Sequence, residues 1–388
     1  MMRHAGLVIL VALSCWWPIA RAQDALAPVE ARVPFAPSPF VGSDGLTHLA
    51  YELHVTNYYG DSGPLKPLSL SVFADDAKTP LLVMDAKALS QMAKPTGTEQ
   101  KPVSIPPGKR TVFLVWITLP EGSKPPHVLR HRMPLETSKR TVTMLDGAPV
   151  QVSDARVLVI GAPLRGGRWL AHEGPGAAQS HHWGSLVAVN GQLTIPQRYA
   201  LDLVGLDAAG HVMRAGVKDI QKSVYADWIG YGTDVLAVAD GVVRSARDGE
   251  QEHPPLSPQP EPASLTTNGL FGNYVVLEVS PGVFASYAHL QRGSLKVKPG
   301  DHVHRGDTLA KLGQSGNSAA PHLHFQLSNA TTFEGSEGVP YVFDRFVFLG
   351  AESEAQLFGQ GEPWKATTAD PRRAQMPLND VVIQFPEP

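Results

Sequence analysis

At 388 residues the chain exceeds one ordinary small domain, and two domains are the natural expectation. Hydrophobic residues make up 43% and charged residues 18%, the balance of a globular protein. The 33 basic residues are outnumbered by 36 acidic ones and form no basic block, which argues against nucleic acid as a partner.

The first segment, "MMRHAGLVILVALSCWWPIARAQDA", reads as an export signal. Arg3 and His4 precede an apolar run from Ala5, and Ala20 and Ala22 fit a small-residue cleavage site before Gln23. The run is too short and wrongly flanked to span a membrane comfortably. Cys15, the only cysteine, falls inside it, so the expected mature chain has no disulfide. Losing Arg3 and Arg21 leaves 31 basic against 36 acidic residues, a net charge near −5. The expected product is periplasmic or secreted, without a transmembrane segment.

From about Val33 to Val159 the chain alternates in short β-type runs. "LTHLAYELHVTNYYG" and "PLSLSVFAD" predict two strands, "VSIPPGKRTVFLVWITLP" a turn and a third, and "RTVTMLDGAPVQV" a hairpin around Asp146-Gly147. Strands at this spacing without a helical pattern predict an immunoglobulin-like sandwich over residues 23–165. Its histidines, including His48, His54, His127 and His131, show no ligand spacing and read as surface or satisfied structural residues. A sandwich without a titratable cluster is expected to regulate access to a site or to dock on a surface or partner protein. Residues 166–388 are then expected to fold alone. "GAPLRGGRWLAHEGPGAAQS" reads as a Gly-rich connection with a partly ordered start, and His172, His211 and His253 fall in expected loops.

The second half concentrates the chemistry. "QRYALDLVG" predicts a short strand with Arg198, Ala200 and Asp202 on one face. "TDVLAVADGVVRSARDG" predicts two strands, and "GNYVVLEVSPGVFASYAHL" a hairpin turning at Pro281-Gly282 that delivers Tyr287 and His289 to one face. "VKPGDHVHRGDTLAKLGQSGNSAAPHLHFQL" adds three more strands. In the last of these, His322, His324 and Gln326 share one face, and Leu323, Phe325 and Leu327 the other. An H-x-H pair alone fits either a metal site or a polar-outward strand. The insertion from Gly205 to Trp228 is expected to shape a groove, and the Pro-rich "RDGEQEHPPLSPQPEPASLTTNG" reads either as a further wall of it or as a solvated, disordered loop. "GVPYVFDRFVFLG" and "MPLNDVVIQF" are expected to cover the sheet.

The ordered residues "SHHW", "QRYALD", "YGTDVLAVADGVV", "GNYVVLEV", "YAHL" and "VKPGDHVHRGDTLAKLGQSGNSAAPHLHF" resemble the lysostaphin/LytM-type zinc metallopeptidases over roughly residues 180–327. The resemblance implies an antiparallel β-sheet peptidase domain and a zinc-dependent endopeptidase acting on peptidoglycan cross-links or stems. It implies His182, Asp202 and His324 as zinc ligands, with His289 and His322 as the catalytic pair. The compact family pattern is H-x-G-x-D, whereas His182 here precedes Asp202 by twenty positions, which leaves His181 a rival ligand. The second H-x-H, His302 and His304, falls at outward positions of a turn and strand. Two other functions are open at this stage: an inactive domain that binds wall peptides or activates another hydrolase, and a secreted protease of Gly-rich proteins.

Overall fold

The computed structural model describes residues 25–387 except 96–100, 178–179, 218 and 259–265. The expected export signal and part of the Pro-rich segment therefore lie outside the described residues. The fold is mainly β, with mostly antiparallel sheets and three short α-helices among the described residues. No helix there is long and apolar enough to cross a membrane.

The first half is a two-sheet sandwich. One sheet runs Val29–Arg32, Thr47–Asn57, Lys109–Thr118, Ala93–Lys94; the other runs Val142–Gln151, Val128–Glu136, Ser69–Ala74, Leu82–Asp85. Alternation along Thr47–Asn57 sends Leu49, Tyr51, Leu53 and Val55 into the core against Leu70, Val72, Leu129 and Met133. The opposite face reads as solvent-directed, yet His48, Glu52 and His54 are each only 1% exposed. That face is covered by the second half of the chain.

One predicted hairpin is not formed. "RTVTMLDGAPVQV" is a single strand, Val142–Gln151, paired with Val128–Glu136 and shifted in register between Gly147 and Val150. Gly147 and Ala148 (φ 46°) absorb the irregularity as a bulge, and Val150 re-enters the core.

Among the sandwich histidines, His54 is buried with neither ring nitrogen hydrogen-bonded among the described residues, contrary to the sequence reading, whereas His131 is satisfied within the fold. Its Nδ1–H donates to the Ala148 carbonyl at 2.8 Å, and its Nε2 accepts from the Tyr51 hydroxyl at 2.8 Å. Burial lowers its pKa from 6.5 to about 4, so the folded state keeps it neutral. Stability from this group is fully present above pH 6.5 and lost as pH falls from 6.5 towards 4, because the unfolded chain binds the proton first. The shift is worth on the order of 3 kcal/mol. Calorimetric melts are expected to show Tm falling across this interval, and a flatter profile in His131→Gln.

The second half is built on one ten-stranded sheet. Its order is His302–Val303, Gly241–Arg247, Tyr274–Ser280, Val283–Ala288, Leu323–Ser328, Leu201–Leu206, Arg168–His172, Val381–Gln384, Phe346–Ala351 and Asp370–Arg372. The hairpin turning at Pro281-Gly282 forms as the sequence predicts, but Tyr287 packs beside Phe325 on the core face while His289 lies beside His322 on the other. Two further expectations change. "RWLAH" is a sheet strand and not a connection, because Trp169 and Ala171 are buried between Leu201–Leu206 and Val381–Gln384. Of the final strands, Tyr341–Phe343 covers the sheet against Phe325, as expected, whereas Phe346–Ala351 and Val381–Gln384 extend the sheet past Arg168–His172. Leu158–Ile160 pairs in parallel with Tyr341–Phe343, so the second body gathers chain from ahead of residue 166.

The halves share a core. Phe40, Ala50 and Leu114 of the sandwich pack in one buried cluster with Trp169, Trp183 and Tyr199. Phe40 lies 5.4 Å from Tyr199, and Trp116 5.8 Å from Trp183, both edge-on.

Candidate active site

The strand Leu323–Ser328 sits in the middle of the sheet, and its register sets the site. His324 lies directly opposite Asp202 on one neighbour and Ala288 on the other. Asp202 in turn faces His172. As the alternation requires, Leu323, Phe325 and Leu327 are fully buried in the hydrophobic core on the other face.

His289 follows the last residue of its strand in a left-handed conformation, φ 61°, which an L side chain rarely adopts. Such strain costs on the order of 1–3 kcal/mol and persists only where surroundings over-determine it. Here the His289 N–H donates to Phe271 O, and its carbonyl accepts from Gly313 N–H. The loop carrying Gly316 (φ 72°) crosses Gly272 so closely that a Cβ on Gly316 would lie 2.4 Å from the Gly272 nitrogen. Only glycine permits that approach, and it brings the Ser315 carbonyl to His289.

Four imidazoles and one carboxylate converge. Asp202 Oδ1 lies 3.0 Å from His324 Nδ1, 3.3 Å from His322 Nε2 and 3.6 Å from His182 Nε2. The rings of His182 and His324 are 4.8 Å apart, and those of His289 and His322 4.7 Å. His182, Asp202, His289 and His324 are buried, and His322 is half-buried. The structure thus brings together all five residues singled out from the sequence.

Hydrogen bonds orient three of the four rings. Gln326 Oε1 accepts from His324 Nε2–H at 2.9 Å, leaving a lone pair on Nδ1 aimed at Asp202. His289 Nδ1–H donates to Ser315 O and His322 Nδ1–H to Ala320 O, both at 2.8 Å, which turns each Nε2 toward the site, that of His322 lying 3.3 Å from Asp202 Oδ1. His182 Nδ1 is buried without a partner. His324 Nδ1 and the Asp202 carboxylate are therefore two acceptors facing one another at 3.0 Å. A proton or a cation between them removes the repulsion. This donor set, imidazole and carboxylate without thiolate, fits a divalent ion.

Electrostatics follow the same geometry. Burial pushes the Asp202 carboxyl up, but His322 and His182 beside it outweigh burial and hold it well below the usual carboxylate range. Burial lowers His322, and Asp202 overcomes that to raise it. Burial drives His289 well below the ordinary histidine value, reinforced by His322 and His324. Burial also lowers His182, to about 3.

His181 competes only in part. It joins His182 and Asp202 in a group whose ligand atoms lie within 4.8 Å of one another. Its side chain is 66% exposed, however, and Nδ1 lies 3.1 Å from Glu173 Oε1. His302 and His304 are exposed at the far edge of the sheet.

The sequence reading missed several residues. His172, expected in a loop, lines the groove from its strand, and its Nδ1 lies 2.7 Å from Asp380 Oδ1. Their separation by 208 positions hides the pair from any spacing rule. A cavity of about 660 Å³ opens over the five residues, walled on one side by Val212, Trp228, Leu357 and Phe358 and on the other by Leu270, Phe271 and Phe333. The insertion after Asp202 supplies Val212 and Trp228, and the C-terminal extension Leu357 and Phe358.

Residues 227–335 match Peptidase family M23. That span includes His289, His322 and His324 but begins after His182 and Asp202, which lie beside them in the fold. The chain is similar to the peptidoglycan DD-endopeptidase ShyC of Vibrio cholerae, 34% identical over 95 residues, 24% of this chain and 19% of that protein. It is also similar to ShyA of the same organism, 32% identical over 96 residues, 25% of this chain and 17% of that protein. The chain thus spans under a fifth of the length of these curated relatives. The catalytic domain of lysostaphin from Staphylococcus simulans is 20% identical, covers 44% of this chain and 86% of its own, and superposes with a TM-score of 0.23.

Proposed function

We propose, from the premise that residues 227–335 are a peptidase family M23 domain, that this chain is an exported zinc-dependent endopeptidase hydrolysing peptide bonds in peptidoglycan. The observation that carries the reading is the convergence of His182, His322 and His324 on Asp202 Oδ1, beneath an open groove.

His182, Asp202 and His324 would hold the ion. Two nitrogens and one carboxylate oxygen leave a coordination position open, the mark of a catalytic site and not a structural one. Zinc bound there supplies a Lewis acid and makes water nucleophilic near neutral pH. The remaining chemistry belongs to the chain. His289 and His322, each locked with Nδ1–H on a backbone carbonyl, offer Nε2 to the reacting centre. As a pair they take a proton from the attacking water and return one to the leaving amine. A protonated Nε2 also stabilises the oxyanion of the tetrahedral intermediate. The apolar groove walls exclude water and seat an extended peptide.

His289→Ala and His322→Ala are expected to keep a full equivalent of zinc while turnover on a cross-linked peptide falls ~10²–10⁴-fold. Metal analysis beside steady-state rates checks this. Wild-type rates in either variant would refute the assigned roles. Activity on purified peptidoglycan peptides, against none on Gly-rich proteins, separates the wall substrate from a general secreted protease.

A further inference from the structure

Arg198 is the one charged residue of the "QRYALD" stretch that the proposed chemistry does not use, and it is 3% exposed. Its Nη2 lies 2.6 Å from Glu52 Oε2, on the sandwich, and 2.6 Å from Glu337 Oε1. Its Nε–H donates to the same Glu337 oxygen at 2.7 Å. Glu337 Oε2 accepts from the Ile195 N–H at 3.0 Å, so one carboxylate clasps both the backbone and the side chain of the turn over residues 195–200. This turn leads directly into Asp202.

The same turn touches the site a second way. Its Pro196 carbonyl accepts from Gln326 Nε2 at 3.3 Å, and Gln326 Oε1 accepts from His324 Nε2–H at 2.9 Å. The Pro196 contact decides which way the Gln326 amide faces. The amide in turn decides which His324 nitrogen carries the proton. A buried guanidinium between two carboxylates is costly to desolvate, and apolar packing would serve stability as well or better. Fixing a ligand's tautomer through an outer hydrogen bond is a role apolar packing cannot fill.

We infer that Arg198 is a positioning residue, acting through the Pro196 carbonyl and Gln326 to hold His324 with its Nδ1 lone pair facing Asp202. The inference rests on the proposed reading of His324 as a metal ligand.

The test uses the full chain. Zinc affinity is measured by chelator competition for wild type, Arg198→Lys, Gln326→Met and the double variant, with thermal melts of each. The tautomer of His324 is read in the metal-free protein by ¹⁵N-detected NMR. Lysine keeps the charge but cannot fork between two carboxylates. Arg198→Lys and Gln326→Met are each expected to weaken zinc binding ~10–100-fold. The double variant should lose little more than the worse single one, because both act along one path. The His324 Nε2–H signal should give way to a tautomer mixture. Should Arg198→Lys not fold, Glu337→Gln loosens the same clasp with nearly unchanged shape and should shift the tautomer likewise. A lowered Tm with wild-type zinc affinity and an unchanged His324 tautomer would overturn the inference and leave Arg198 a structural residue. Additive losses in the double variant would overturn it too. If wild type itself takes up no zinc, the proposed function fails, and the tautomer measurement still decides the role of Arg198.

Discussion

A chain beginning at Gly166 is expected to yield no cooperatively folded protein. The sequence alone points the other way, since the first half shows no feature tying it to the second. The packing ties them. Removing the sandwich uncovers Trp183 and Tyr199, which lie against Trp116 and Phe40. Burying one large side chain contributes roughly 1.5–3 kcal/mol, against a total stability of about 5–15 kcal/mol. Arg198 loses Glu52, and the backbone bond from Met376 N–H to Val41 O is lost. The Leu158–Ile160 strand beside Tyr341–Phe343 goes as well. Circular dichroism melts of the truncated chain should show no cooperative transition; a sharp one would show that the second half stands alone. In the full chain, Phe40→Ala is expected to cost ~3–5 kcal/mol, a milder probe of the same contact.

The second large effect concerns Asp202. Asp202→Asn removes the one negative charge on which three histidines converge and should release nearly all bound zinc, abolishing hydrolysis. His324→Ala should match it. The loss of rate should reach or exceed the ~10²–10⁴-fold of a missing acid–base group, because both the ion and its orientation go together. Paired measurements on His181→Ala and His182→Ala decide the first ligand. Burial and an Nε2 3.6 Å from Asp202 favour His182, while His181 is engaged by Glu173. A metal-free His182→Ala beside a metal-replete His181→Ala is the expected pattern.

Much of the site was legible in the sequence because strand alternation is a local rule. The apolar partners Leu323, Phe325 and Leu327 force His322 and His324 onto the opposite face whatever the rest of the chain does. The Pro281-Gly282 turn likewise announces its own hairpin. His182 and Asp202 entered through a family resemblance, and their approach to His324 is a matter of sheet register that no local pattern encodes. Other features were hidden for physical reasons. The "RWLAH" strand is short and flanked by glycines, and its pairing partners lie some thirty and two hundred positions away. The polar face of Thr47–Asn57 has the alternation of a solvated strand, although Glu52 and His54 are buried under the second half. Period-two patterning distinguishes the two faces of a strand, not water from a polar protein surface. The Gly147 bulge imitates a turn because a bulge and a hairpin draw on the same residues.

The most direct measurement is digestion of purified peptidoglycan by the full-length protein, with products identified by mass spectrometry. Parallel reactions contain a zinc chelator, and chelator followed by excess zinc. The expected result is release of fragments cut at peptide bonds, lost with chelator and restored by zinc. Cleavage that persists at the same rate in the chelated, metal-free protein would contradict the account.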